Sequence, residues 1–402
     1  MDRLILHVGT PKTGTSFLQD VLFRNREGLA EQGVLYPADR FDGQFLAALD
    51  LMRLPWGGLE QEAVGAWDDL ARRVREWDGT AIVSHEILAT AGRAHVERAL
   101  ESLHRDGREV HVVLSVRDLV RQIPAEWQEN VKHRATIDYA EFLDTIRDPT
   151  REGRLASWFW GVQEIPDILE RWASGVDPSR VHLVTVPPPG APKDLLWERF
   201  ERAFGLDTLD LELHDERSNP SLGVPETALV RAVNLAANEQ VPPRHYRPLV
   251  RELLAHQTLS RRTASPRLAL PPDAHAWAEE LSRSWVEALR SGGYDVVGDL
   301  RDLLPGPPSP AYEDPDEAAE TQVLDAAVEA ITALLVEAGR LRETEEDLHR
   351  QLDEAREALE RSYLRPSYVA RERVVGKAEH SALGRSLLAA YRAVRGRSSR
   401  SA

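Results

Sequence analysis

The 402-residue sequence predicts an α/β fold: a P-loop-like parallel sheet flanked by helices, with a C-terminal helical or coiled-coil extension. Three observations lead there. Short apolar runs near 4–8, 80–84, 109–115 and 180–186 alternate with amphipathic helical stretches, as in a parallel sheet covered on both faces. The first run passes through a Gly/Thr/Lys turn straight into a helix, in LILHVGTPKTGTSFLQ at 4–19. Finally, PGPPSPAYEDPDEA at 305–318 is too rich in proline and acid to continue helix or sheet, so it reads as a linker. The α/β domain is therefore expected over 1–304, the linker over 305–318, an acidic helical or coiled-coil segment over 319–360, and a basic amphipathic tail over 361–402.

The turn after the first strand has the makings of a phosphate cradle. A helix start offers backbone N–H groups without partners and a partial positive charge, and glycines let a phosphate come close to that backbone. Gly9 and Gly14 have the spacing of the common G-x-x-x-x-G-K-[ST] loop, but Thr15 stands where its lysine belongs. The positive charge sits inside the loop instead, at Lys12, where it can meet a bond being broken. The run Pro11, Lys12, Thr13, Gly14, Thr15, Ser16 resembles the 5′-phosphosulfate loop of sulfotransferases that use 3′-phosphoadenosine 5′-phosphosulfate (PAPS), in particular bacterial, carbohydrate-sulfotransferase-like members.

The stretch EVHVVLSVRDLVRQIPAEWQENVKHR at 109–134 reads as a buried strand followed by a helix. The resemblance implies that Arg117, at the end of that strand, grips the 3′-phosphate of PAPS; a planar guanidinium suits a phosphate well. The family's assisting serine eight residues later is Ala125 here, leaving Gln122 or Gln128 as a substitute. Pro124 is expected to kink or interrupt the helix.

A third strand, in TAIVSHEILA at 80–89, ends on His85 and Glu86. Transfer of a sulfuryl group to a hydroxyl needs a base for the acceptor proton and a cation for the leaving phosphate oxygen. Carbohydrate sulfotransferases commonly use a glutamate and small-molecule ones a histidine, so the resemblance admits both, with Glu86 favoured. A polar pair at a strand end also serves simply to cap the next helix. In such sheets ligands bind at the carboxyl ends of the strands, and Gly9 to Ser16, Ser84 to Glu86 and Arg117 all lie at such ends.

Further along, ERSNPSLG at 216–223 resembles a polar loop near the cofactor in bacterial sulfotransferases, which would let Asn219 and Ser221 touch PAPS; ordinary turn chemistry explains the same residues. Trp158, Phe159 and Trp160 either pack in the core or stack on an acceptor. Lys132, His133 and Arg134 either line an anionic path or sit solvated at a helix end.

The resemblance implies in-line transfer from PAPS to a hydroxyl acceptor such as a carbohydrate, glycolipid or metabolite, with 3′-phosphoadenosine 5′-phosphate (PAP) as product and no metal. The alternatives are a non-catalytic scaffold on the same fold, encouraged by Ala125, and a P-loop kinase with Asp118 as an acidic metal partner.

Composition narrows the setting. Cysteine is absent, excluding disulfides, thiolate metal sites and a cysteine nucleophile. The net charge of −16 argues against a nucleic-acid partner. Charge is polarised at the end of the chain: −12 over 313–360 and +8 over 361–402. Leu324, Val328, Ile331, Leu335 and Ala338 step by four and three, and Leu341, Leu348, Leu352, Ala355 and Leu359 resume after a phase change, predicting a helical hairpin or a coiled coil able to self-associate through 324–359. The basic stretch 381–397 is expected to lie on an anionic membrane, an acidic partner or the chain's own acidic segment. With no leader-like start and no apolar run of about 18 or more residues, the expected location is the cytoplasm, with peripheral membrane contact as the variant.

Overall fold

The computed structural model describes residues 2–213, 221–363 and 386. Six parallel strands form one sheet in the order β2-β3-β1-β4-β5-β6: β1 Arg3–His7, β2 Val34–Leu35, β3 Thr80–Ser84, β4 Glu109–Val116, β5 Val181–Thr185 and β6 Asp295–Val297. Central β1 lies between β3 and β4, with His7 beside Ser84 on one side and Val113 on the other. The three strands whose ends carry the loop, the His/Glu pair and the arginine are therefore immediate neighbours.

Burial explains why these runs are strands. Leu4, Ile5, Leu6, Ile82, Val112, Val113 and Leu114 are all at most 1% exposed, as a sheet covered on both faces requires. On one face, Leu18, Val21 and Leu22 of the Thr15–Arg24 helix pack with Trp197, Phe200 and Phe204, fixing the helix whose first turn borders the loop. The Leu119–Lys132 helix follows β4 and continues through Pro124 without interruption. Proline there removes a single N–H donor, and the buried Ile123, Trp127 and Val131 hold the remaining turns in place.

Two compact units divide the chain, Met1–Ile331 and Thr332–Ala402. The first extends beyond Leu304 because the proline-rich stretch is tied down. His275 Nε2 bonds the carbonyl of Gly306 (3.0 Å), Pro315 is buried, and Asp316 accepts from the backbone N–H groups of Tyr139 (2.8 Å) and Ala140 (2.9 Å). Ala326 and Ala330 are buried as well, and Glu329 pairs with Arg262.

After the proline-rich stretch the chain forms one continuous helix, Glu320–Tyr363, 44 residues long, in place of a hairpin; the phase change near Gly339 falls inside it. Its apolar seam is exposed, with Leu335 at 67% and Leu348 at 59%. The basic stretch 381–397 lies outside the described residues apart from Ser386. No helix among the described residues is long and apolar enough to cross a membrane.

Candidate active site

The loop after β1 stays fastened to β4 by Val8 N–H to Val113 O (3.1 Å) and Thr10 N–H to Ser115 O (2.7 Å). Its two glycines have steric reasons. Gly9 has φ 123°, and a Cβ there would lie 2.9 Å from the carbonyl oxygen of Glu86; Gly14 has φ 88°, and a Cβ would lie 2.7 Å from Leu196 Cδ2. No side chain would fit between the loop at Gly9 and the Glu86 backbone.

A closed polar floor supports it. His7 bridges Ser84 Oγ (2.8 Å) and Ser115 Oγ (3.1 Å), Ser115 Oγ donates to Gly9 O (2.9 Å), and Thr13 Oγ1 donates to Thr10 O (2.5 Å) while lying 2.6 Å from Ser115 Oγ. Burial pushes the His7 imidazole down to about 4, so it is neutral and offers one donor and one acceptor. The fully buried Thr13 hydroxyl belongs to this floor and cannot also serve a ligand. Thr15 is buried, Ser16 is exposed at the helix start, and Pro11 O accepts from Gln122 Nε2 (2.6 Å).

Above the floor Lys12 is ion-paired with Glu129 of the Leu119–Lys132 helix. Glu129 also meets His133 Nε2 (3.2 Å), Arg251 Nη2 (3.3 Å) and Lys132 Nζ (3.8 Å). Burial opposes its ionisation, but the His133 hydrogen bond and the Lys12 and Lys132 charges hold it well below the usual carboxylate range. Lys132 is 2% exposed, and burial lowers it to about 8, so it is not the solvated helix end that its sequence position allows. One turn earlier the buried Glu126 accepts from Gln163 Nε2 (3.1 Å). Burial pushes its carboxyl up to about 7, with Lys12 opposing and Glu129 and Glu86 reinforcing the shift.

Arg117, just past β4, donates through Nη1 to Lys12 O (3.3 Å), while its Nε is buried with no partner among the described residues. Burial lowers it to about 10, and Arg121 adds to the effect. Asp118 caps the following helix by accepting from Arg121 N–H (2.9 Å) and pairs with the Arg121 side chain, so it is committed to structure and not placed as a metal ligand. Neither glutamine takes the missing serine's place as a ready donor. The Gln122 amide donates to Pro11 O, and Gln128 clamps Leu222 through both its N–H (3.0 Å) and its O (2.9 Å). Ser221, next to that clamp, is exposed; Asn219 lies outside the described residues.

On the other side of β1, His85 Nδ1 accepts from Ile87 N–H (3.3 Å) and caps the short Glu86–Thr90 helix, and burial lowers its pKa. Glu86 accepts from Gln19 Nε2 (2.8 Å); burial opposes its ionisation, yet His85 and this hydrogen bond leave its pKa below the ordinary value. From His85 a row of rings runs outward: Phe45 (5.1 Å), then Trp56 (5.5 Å), then Trp158 (5.7 Å), centroid to centroid. Phe45, Trp56 and Trp158 are half-buried, whereas Phe159 and Trp160 are core, the latter donating from Nε1 to Ile146 O (3.0 Å).

Sequence reasoning did not single out Glu126, Glu129 or Arg251. The one signal for the first two is their position: they interrupt with charge a helix whose apolar residues Ile123, Trp127 and Val131 are all buried.

No family model matches this chain, and no curated protein matches it. Among solved structures, a sulfotransferase from Alicyclobacillus acidocaldarius is similar to it, with 14% identity and a TM-score of 0.37 over 72% of this chain and 95% of the other.

Proposed function

We propose that the chain is a PAPS-dependent sulfotransferase that moves a sulfuryl group to a hydroxyl acceptor. The observation that carries this reading is the meeting of three chemically distinct groups at adjacent strand ends: a glycine loop with its lysine inside it, a carboxylate, and an arginine with an unpartnered buried N–H. PAPS would supply an activated sulfuryl group on a phosphate leaving group.

Loop N–H groups at the start of the Thr15–Arg24 helix cradle the 5′-phosphosulfate. Arg117 takes the 3′-phosphate, which would give its Nε a partner. Lys12 leaves Glu129 and donates to the oxygen between phosphorus and sulfur. As the acceptor oxygen bonds to sulfur, the old sulfur–oxygen bond breaks, and Lys12 stabilises the electron pair left on the phosphate. Glu86 receives the acceptor proton: its carboxyl is held ionised and keeps 22% of its side chain exposed. His85 is the weaker candidate because its Nδ1 lone pair already accepts from Ile87, which leaves the proton of the neutral ring on Nε2. The Phe45, Trp56 and Trp158 faces beside His85 provide a surface for the acceptor, as a sugar or another ring-bearing molecule would use.

Calorimetric titration with PAP, ADP and magnesium-ATP tests the nucleotide. Selective binding of PAP, weakened by Arg117→Ala, is expected, with turnover lost in Lys12→Ala once an acceptor is found. Preference for magnesium-ATP would overturn the reading in favour of a kinase, and failure to bind any nucleotide would favour a non-catalytic scaffold.

A further inference from the structure

The cationic group around Glu129 is larger than the chemistry above uses. Lys12, Lys132 and Arg251 all approach this one carboxylate. Lys132 is the deepest: its side chain is 2% exposed, its nearest anionic atom is Glu129 Oε2 at 3.8 Å, and it makes no hydrogen bond among the described residues. Arg251 gives Nη2 to Glu129 Oε1 at 3.3 Å and keeps Nε buried without a partner among the described residues. His256, on the same Arg247–Thr258 helix, turns Nδ1 to Glu252 at 3.3 Å, and its Nε2 is likewise buried and unpartnered among the described residues. Burial is the largest influence lowering the His256 pKa, and the charges of Lys132, Glu252, Arg251 and Glu129 all act on it.

Buried charges are ordinarily paired, and buried N–H groups ordinarily find an acceptor. Here three cationic side chains approach one carboxylate, and the Lys132 ammonium has no hydrogen-bond acceptor among the described residues. Lys12, Glu129 and Arg251 keep 21%, 19% and 26% of their side chains exposed, so the group is reachable from solvent, with Lys132 as its floor. An oxyanion carrying two charges would restore the balance. A tetrahedral one has enough oxygens to take the open edge of the Arg251 fork and the Lys132 ammonium together.

We infer that Lys132 and Arg251, gathered about Glu129, with His256 further along the Arg251 helix, form an anion subsite beside Lys12 for a phosphate or sulfate-ester group. This deepens the sulfotransfer reading in its use of Lys12 but stands on polar atoms of its own. The group has two sources: the 3′-phosphate of the nucleotide, whose family serine is Ala125 here, or an anionic substituent on the acceptor. The Lys12–Glu129 pair joins this subsite to the reacting centre, and an anion there would compete with Glu129 for Lys132 and Arg251.

The test uses the full chain and its Arg251→Met and Lys132→Met variants, checked for folding by circular dichroism. Lys132→Arg serves as the charge-retaining control, and Arg251, being partly exposed, covers the case that Lys132→Met does not fold. Each protein is titrated with PAP and 5′-AMP, and with inorganic sulfate both alone and in the presence of saturating PAP. A preference for PAP over 5′-AMP that drops at least tenfold in the Met variants and survives in Lys132→Arg assigns the subsite to the 3′-phosphate. An unchanged preference, with sulfate binding to the PAP-loaded protein weakened at least tenfold, assigns it to the acceptor. Unchanged nucleotide preference and unchanged sulfate binding in both folded Met variants would overturn the subsite. If the wild type binds no PAP, the sulfotransfer reading falls while the sulfate titration of the unloaded protein still decides the subsite: binding lost in Arg251→Met keeps it, and no binding by the wild type removes it.

Discussion

The floor of the site and its rim are built from similar residues and treated in opposite ways. Beneath the loop, His7, Ser84, Ser115 and Thr13 form a chain in which each side-chain polar group has a partner within 3.1 Å. Elsewhere about the site, Arg117 Nε, Gln122 Oε1, Arg251 Nε and His256 Nε2 are buried with none among the described residues. Folding alone rewards the first arrangement and penalises the second, since an unmade buried hydrogen bond costs roughly 1–3 kcal/mol. The floor is closed by the protein's own groups, whereas these polar atoms of the rim have no partner among the described residues.

Three variants would break or sharpen that contrast. The largest effect is expected at the floor's roof: Gly9→Ala forces a side chain onto φ 123° and to within 2.9 Å of Glu86 O, and should cost about 3 kcal/mol or more in urea unfolding, removing nucleotide binding with it. A loss under about 1 kcal/mol would mean that the loop does not depend on this close approach.

A pH-dependent gain is expected at the rim. Burial pushes the Glu126 carboxyl up to about 7 from its ordinary 4.5, so the folded chain binds the extra proton between those values. Its contribution to stability is present at low pH and is lost as pH rises through about 7. Glu126→Gln should therefore be neutral at pH 5 and stabilising at pH 8 by on the order of 1–2 kcal/mol, compared by thermal melts at the two pH values. A variant that stabilises equally at both would show that charge is not what the native carboxyl suffers from.

The smallest effect on folding belongs outside both regions. Replacing Leu341, Leu348 and Leu352, exposed on the long C-terminal helix, with lysine should move the unfolding of the Met1–Ile331 unit by less than about 0.5 kcal/mol. If that seam brings two copies together, sedimentation velocity will register the loss as a shift from dimer to monomer; a monomeric wild type would remove self-association from the account.

Much of the scaffold is legible in the sequence because it is written in local patterns. The four long strands show as apolar runs, and Gly9, Lys12, Gly14 and Arg117 can be named from their places at strand ends. The short β2 and β6 are not visible in this way: two and three residues carry no period, and Asp295 stands inside β6, so only pairing with their neighbours makes them strands. The rim is the least legible. Glu129 meets Lys12 across 117 positions of chain and Arg251 across 122, and no spacing rule joins residues so far apart. Compact packing also moved the end of the first unit from Leu304 to Ile331, since a proline-rich stretch looks the same in sequence whether it dangles or, through Asp316, caps a helix 176 residues earlier.

Lys12 occupies φ 61°, where glycine would rest without penalty and any other residue costs roughly 1–2 kcal/mol. Glu129 would keep Lys132, His133 and Arg251 if the lysine were gone. A library screened for heat resistance alone should therefore drift toward glycine at this position, and the lysine would persist only under a screen that rewards what it touches.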